Sequence, residues 1–202
     1  MNGISNSQMN VEKEFKQLFS LVKNCKDCDL WKNRQNPVLG EGSINAKIMF
    51  IGEAPGLNED IQGRPFVGRA GKILDEMLES INLKRKDIYI ANILKCRPPE
   101  NRNPFKNEID SCTKYLEKQI EKIKPELIVT LGSFATSYIF EKFNIKFEKI
   151  GTIHGKIFNL NTIFGKQIVI PVYHPAAATY NPNTKEVLLK DFYIIKETLR
   201  NK

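Results

Sequence analysis

No run of about eighteen consecutive apolar residues occurs in this 202-residue chain, and the polar start Met1–Asn10 lacks the apolar stretch of a secretory signal. A helical membrane span is excluded on that basis, and a cytoplasmic protein with no membrane partner is expected. Proline and glycine are sparse, at 10 and 12, and neither gathers into a linker or low-complexity tract. No internal repeat is present. One domain is therefore expected over residues 1–202, with residues 1–10 as a flexible start. The glycines fit neither a Walker loop nor the dinucleotide fingerprint, and no Gly-Lys-Ser/Thr follows them, so no nucleotide cofactor is expected. There are only 2 histidines, which leaves His154 and His174 as the whole supply of imidazole chemistry.

Acidic residues are also in deficit, 23 against 31 lysines and arginines, for a formal charge of +8. That excess favours a polyanionic partner through phosphate contacts and counterion release, although a lysine-rich solvated face gives the same count.

Apolar periodicity predicts a helix through Val11, Phe15, Leu18, Phe19 and Val22, ending near Asn24. Strands are predicted at 47–51, 88–94, 127–131 and 168–173, and helices at 70–81, 107–123, 133–143 and 185–199. A hairpin is expected from Lys146 to Leu160, turning at Thr152–Gly155. Strands that alternate with helices and are apolar on both faces imply a mostly parallel sheet between helix layers, with ligands at the carboxyl ends of its strands. Just past those ends lie Gly52–Gly56, Asn92–Cys96, Gly132 with Ser133, and His174 with Pro175. One shared cleft is the expectation.

All 4 cysteines fall in the pattern Cys25-Lys-Asp-Cys28, Cys96 and Cys112, the last two separated by fifteen residues. In a cytosolic chain this suits four thiolates on a metal centre better than disulfides. By spacing alone zinc is the first reading, an iron-sulfur cluster the second, and unligated thiols or a redox pair the third. Such a centre serves to staple the N-terminal helix to the sheet. The loop Gly52-Glu53-Ala54-Pro55-Gly56, continuing through Glu59-Asp60 to Gly63-Arg64-Pro65-Phe66-Val67-Gly68, lets backbone approach a ligand closely. Taken singly, Phe66 reads as a core aromatic, Glu53 and Glu59 as a helix cap and a solvated acid, and His154 as structural. His174 is the histidine whose position, at a strand end beside a proline, suits chemistry.

Together these segments, with Asn92-Ile93-Leu94-Lys95-Cys96-Arg97-Pro98-Pro99 and His174-Pro175-Ala176-Ala177-Ala178, resemble the uracil-DNA glycosylase superfamily, most closely its iron-sulfur family 4. The resemblance runs from Cys25 to the last helix. It implies an α/β fold, a three-layer α/β/α sandwich around a four-stranded, mostly parallel sheet. It implies a structural [4Fe-4S] cluster on Cys25, Cys28, Cys96 and Cys112, in place of zinc. Gly52, Ala54, Glu59, Phe66 and Asn92 would then surround uracil: Phe66 stacks on the base, Asn92 reads its edge and Glu59 excludes the thymine methyl. Glu53 and His174 would be catalytic, His174 as a neutral hydrogen-bond donor to O2 and Glu53 toward water or the sugar.

DNA contacts are expected from Arg64, Ser133, Ala177, Thr179 and Tyr180, and from Lys95, Arg97 and Arg102. The implied partner is uracil-containing DNA, single- or double-stranded, met by a monomer; a sliding-clamp contact is not legible. Glu53 separates the chain from family 5, and Ala54 stands where family 1 carries an aspartate. The arginine- and histidine-bearing insertion of the covalently trapping relatives is absent. The loop after His174 is too small to supply the family 1 leucine wedge, with Tyr180 the nearest bulky substitute. The alternative is a catalytically silent nucleic-acid-binding protein with a structural metal site.

Overall fold

The computed structural model describes residues 6–162, 165–179 and 181–201, with side chains from Val11 onward. The described α-helices and strands, in chain order, are α1 (Asn6–Asn24), β1 (Glu41–Gly42), β2 (Ile48–Gly52), α2 (Leu57–Gln62), α3 (Arg69–Ser80), β3 (Tyr89–Asn92) and α4 (Lys106–Ile123). They continue with β4 (Leu127–Leu131), α5 (Ser133–Lys142), α6 (Ile150–Ile153), β5 (Phe158–Thr162), β6 (Gly165–Val172) and α7 (Pro182–Arg200). None of the described helices is long and apolar enough to cross a membrane. Residues 6–10, expected as part of a flexible start, form the first turns of α1.

The sheet order is β1-β3-β2-β4-β6-β5. Its four inner strands are parallel, as expected, and one antiparallel strand is added at each edge. The sheet therefore has six strands rather than four. β1 is two residues long, too short to show a period, and β5 is the true partner of β6. The expected hairpin turn at Thr152–Gly155 is not formed: Ile150–Ile153 is a helical turn, and the hairpin joins β5 to β6. Gly155 instead packs closely, because a Cβ there would lie 2.6 Å from Asp191 Oδ1. The alternation Phe158-Asn159-Leu160-Asn161 carries the strand signal.

Strands β2 and β4 are buried along their whole length, and successive side chains enter opposite layers. Met49, Ile51 and Ile128 pack against Leu18, Val22, Leu116, Ile120 and Phe140 from α1, α4 and α5. Ile48, Phe50, Val129 and Leu131 pack against Leu74, Met77, Leu78, Leu188 and Phe192 from α3 and α7. Phe50 stacks on Phe192 with ring centroids 5.8 Å apart. At about 25 cal/mol per Å2, these two apolar faces supply the main drive to fold.

Parallel register brings the strand ends level. Gly52 pairs with Asn92, and Leu131 with Val172. The chain leaves β2 toward β3 on one side and returns to β4 on the other, so the topological switch opens a crevice at these ends.

Candidate active site

A cleft of about 570 Å3 occupies that crevice. Its walls include Glu53, Ala54, Glu59, Phe66, Asn92, His174 and Thr179, drawn from loops that follow three different strands. Three of the four strand ends thus converge as expected, while Gly132 and Ser133 lie outside the lining. The cleft also takes Leu57, Asn58, Arg69, Asn101 and Arg102, of which only Arg102 stood out in the sequence. Leu57, 48% exposed, was hidden because its helix α2 is too short to show a pattern.

The glycine-rich loop is fixed from within by Glu59. Its carboxylate accepts hydrogen bonds from the backbone N–H of Gly56 (3.1 Å), Val67 (2.8 Å) and Gly68 (2.8 Å). One side chain thereby caps α2 and ties it to the segment before α3. The carboxylate is engaged with the loop, so only the rest of the residue is left to act as a wall. Asp60 extends the brace, accepting from the N–H of Gln35 and Asn36.

Phe66 is held in a left-handed backbone conformation, φ +53°. Arg85 donates to its carbonyl and to that of Pro65 (3.0 Å), and a Cβ on Gly71 would fall 1.8 Å from the Phe66 oxygen. The ring is buried, with its centroid 5.7 Å from that of His174 at an interplanar angle of 30°. A Cβ on Gly52 would meet the Phe66 ring at 2.6 Å and Asn92 Oδ1 at 2.4 Å, so this glycine leaves room for both neighbours.

Asn92 ends β3 and is 2% exposed, and its Oδ1 has no hydrogen-bond partner among the described residues. An orphaned buried acceptor is costly, by about 1 to 3 kcal/mol, and its persistence at a cleft points to a ligand donor.

His174 follows β6 and packs against Gly132, whose φ of +88° and close approach both require glycine. The backbone N–H of Ala176 donates to Nδ1 (3.1 Å), which leaves the proton of a neutral ring on Nε2. Burial pulls the imidazole down to about 4, with the Glu59 carboxylate opposing weakly. The ring is therefore uncharged at neutral pH. Burial also raises Glu53, whose carboxylate has no hydrogen-bond partner among the described residues.

The cationic residues divide. Lys95 was expected to touch DNA, and this is corrected: it is 1% exposed, and its Nζ donates to the carbonyls of Leu39 (3.2 Å) and Asn92 (2.8 Å) and to Gln119 Oε1 (2.8 Å). Arg64 pairs with Glu41 through Nε (3.1 Å) and Nη2 (2.7 Å), outside the cleft lining. Arg97 donates to Asn101 Oδ1 (2.7 Å). Arg102, at the cleft, is aimed by Glu108 and lies 3.7 Å above the exposed Phe105 ring. Ser133 is exposed at the first turn of α5, and Ala177 is exposed in the turn after His174. Tyr180 lies outside the described residues.

The four cysteines assemble beside β3. Cys96 and Cys112 are buried and Cys25 and Cys28 half-buried, and no two form a disulfide. Their sulfurs are near enough to act electrostatically on one another. Burial pushes the Cys112 thiol up to about 12. Arg34 Nη1 donates to Cys96 Sγ (3.1 Å), and the Lys95 N–H donates to Cys112 Sγ (3.2 Å). Among the described residues no three ligating side chains are grouped for a single metal ion.

A model of the uracil DNA glycosylase superfamily matches residues 39–194. A type-4 uracil-DNA glycosylase of Saccharolobus solfataricus is 53% identical over 182 residues, covering 90% of this chain and 84% of the relative. Namesakes from Sulfurisphaera tokodaii, at 50% over 87% of this chain and 80% of the relative, and Archaeoglobus fulgidus, at 48% over 87% and 88%, are similar over the same core. The family match spans the cleft and the sheet together with Cys96 and Cys112, and the chain belongs to the uracil-DNA glycosylase superfamily, within its type-4 group.

Proposed function

We propose that this protein excises uracil from DNA: the nucleotide flips out, its N-glycosidic bond is hydrolysed, and free uracil and an abasic site result. The observation that carries the reading is the orphaned Oδ1 of Asn92 at the cleft wall. Uracil N3–H is the donor that this acceptor lacks, and the Asn92 amide would donate to O4. Cytosine has a bare N3 and an amino group, so both contacts would fail, at about 1 to 3 kcal/mol each. Extrusion itself takes about a few kcal/mol and is least demanding at a mismatch. Stacking on Phe66 returns on the order of 1 to 3 kcal/mol.

Breaking the bond leaves charge on uracil O2. The neutral His174, with its proton on Nε2, is suited to donate there as that charge develops. Water adds to C1′, and the departing uracil anion takes a proton from solvent. Glu53, half-buried with its carboxylate otherwise unengaged, is suited to orient that water or to face the cationic sugar. Because Ala54 offers no base, the reaction is read as dissociative. Arg69, Arg102, Thr179 and the Ser133 helix start would hold phosphates around the cleft, and Ala177 would approach the backbone.

Four thiols, two of them buried, with N–H donors aimed at sulfur, suit a [4Fe-4S] cluster on Cys25, Cys28, Cys96 and Cys112. Four irons accept one thiolate each, so the ligands stand further apart than around one zinc. Such a cluster would supply cross-linking of the α1 end to the β3 loop and α4, and no chemistry on the base.

The test is incubation with oligonucleotides carrying uracil, thymine or cytosine at one position, followed by alkaline cleavage. Shortened product from uracil alone is expected, without added metal. No product from either single-stranded or U:G substrate would sink the proposal.

A further inference from the structure

Lys95 is unusual for a buried lysine because no carboxylate among the described residues meets it. All three ammonium acceptors are neutral oxygens: the main-chain carbonyls of Leu39 and Asn92 and the side-chain oxygen of Gln119. Gln119 cannot turn away, since its amide donates to Leu39 O (2.9 Å) and Tyr89 Oη (2.9 Å). The residue's backbone is equally committed, with its N–H on Cys112 Sγ and its carbonyl accepting from Val38 N–H (2.8 Å). A methionine would fill the same volume without desolvating a charge, so packing alone does not explain a lysine here. Asn92, in contrast, has no partner for its Oδ1 among the described residues, so no hydrogen bond from them fixes where the acceptor points.

We infer that Lys95 is a positioning residue for base recognition: its ammonium grips the Asn92 main-chain carbonyl and so aims the Asn92 side chain at the extruded uracil. The inference rests on the uracil reading of the cleft. It turns the Leu39 segment, α4 and the cysteine-bearing loop into a rigid frame for one amide, and it makes discrimination depend on a residue that never touches DNA.

A double-mutant cycle tests it with the full-length, iron-containing protein. Lys95→Met, Asn92→Ala and the double variant are compared by single-turnover rate on a uracil oligonucleotide and by affinity for a uracil-free duplex. Lys95→Met is expected to slow excision about ten- to hundredfold, with duplex affinity and bound iron unchanged. In the Asn92→Ala background the same change is expected to alter the rate by no more than about twofold, because the aimed group is already gone. Equal fold-losses in both backgrounds, or an undiminished rate in Lys95→Met, would overturn the inference. Should Lys95→Met misfold or shed iron, Gln119→Met decides in its place. It removes one ammonium acceptor, touches no cysteine, and is expected to slow excision about three- to tenfold with the same dependence on Asn92. Full excision by Asn92→Ala alone would instead remove the uracil reading, a result distinct from additivity.

Discussion

At the scale of single residues the site is defined by what each polar group has been denied or given. His174 is given a backbone donor at Nδ1 and a largely desolvated place in the cleft wall, and both keep it neutral. With His174 donating to uracil O2 as proposed, its lowered pKa would set the acid limb of the reaction. Excision should be indifferent to this group from neutral pH down through 5 and fall as pH drops through about 4. A rate profile that breaks near the ordinary histidine value of about 6.5 would contradict that. The sign for folding is the same: the unfolded chain binds a proton that the folded ring refuses, so stability declines as pH falls below about 6.5. His174→Ala should slow single-turnover excision about a hundred- to a thousandfold with the fold intact. Gly52→Ala should cost on the order of a hundredfold, since a methyl 2.4 Å from Asn92 Oδ1 displaces the reading group. His174, Asn92 and Phe66 all line the cleft, a convergence that strand ends and motif order make visible in the sequence. The sequence misplaced Lys95 because a lysine in a basic chain reads as a phosphate contact, and burial is set by Leu39 and Gln119, far off along the chain.

At the scale of elements the parallel strands and long helices were legible to within a few residues, since their apolar periods are long and unbroken. What escaped was short or held by side chains. α2 is six residues long and exists through the Glu59 bonds to Gly56, Val67 and Gly68. Glu59→Ala should therefore lower stability by about 1 to 3 kcal/mol and weaken substrate use through a loosened loop; chemical denaturation and steady-state kinetics measure both. The pairing of β5 with β6 escaped because His154-Gly155 looks like a turn. In fact His154 Nδ1–H donates to both oxygens of buried Asp191 (3.0 Å each) and its ring lies 4.6 Å from Tyr173. That contact locks α6 to α7. Phe192 of α7, fully buried on Phe50, sets the strength of the same layer, and Phe192→Ala should cost about 3 to 5 kcal/mol in a denaturation experiment.

At the scale of the whole molecule one sheet does two jobs. Its strand ends gather the cleft, and its β3 side carries the cysteine quartet, so the proposed recognition and the proposed bracing would share the segment Asn92–Cys96. Cys112→Ser should yield protein without iron whose thermal midpoint is lower by about 10 °C or more, while the cleft still excises uracil at a temperature where it remains folded. Loss of iron without any loss of stability would contradict the bracing role. The central claim, that a buried Asn92 acceptor reads the N3–H of an extruded uracil, is tested most directly by single-turnover excision from matched oligonucleotides carrying uracil or 3-methyluracil. The native protein should release uracil and leave the methylated base, and Asn92→Ala should narrow that gap by lowering uracil release. Equal release of the two bases by the native protein would contradict the account.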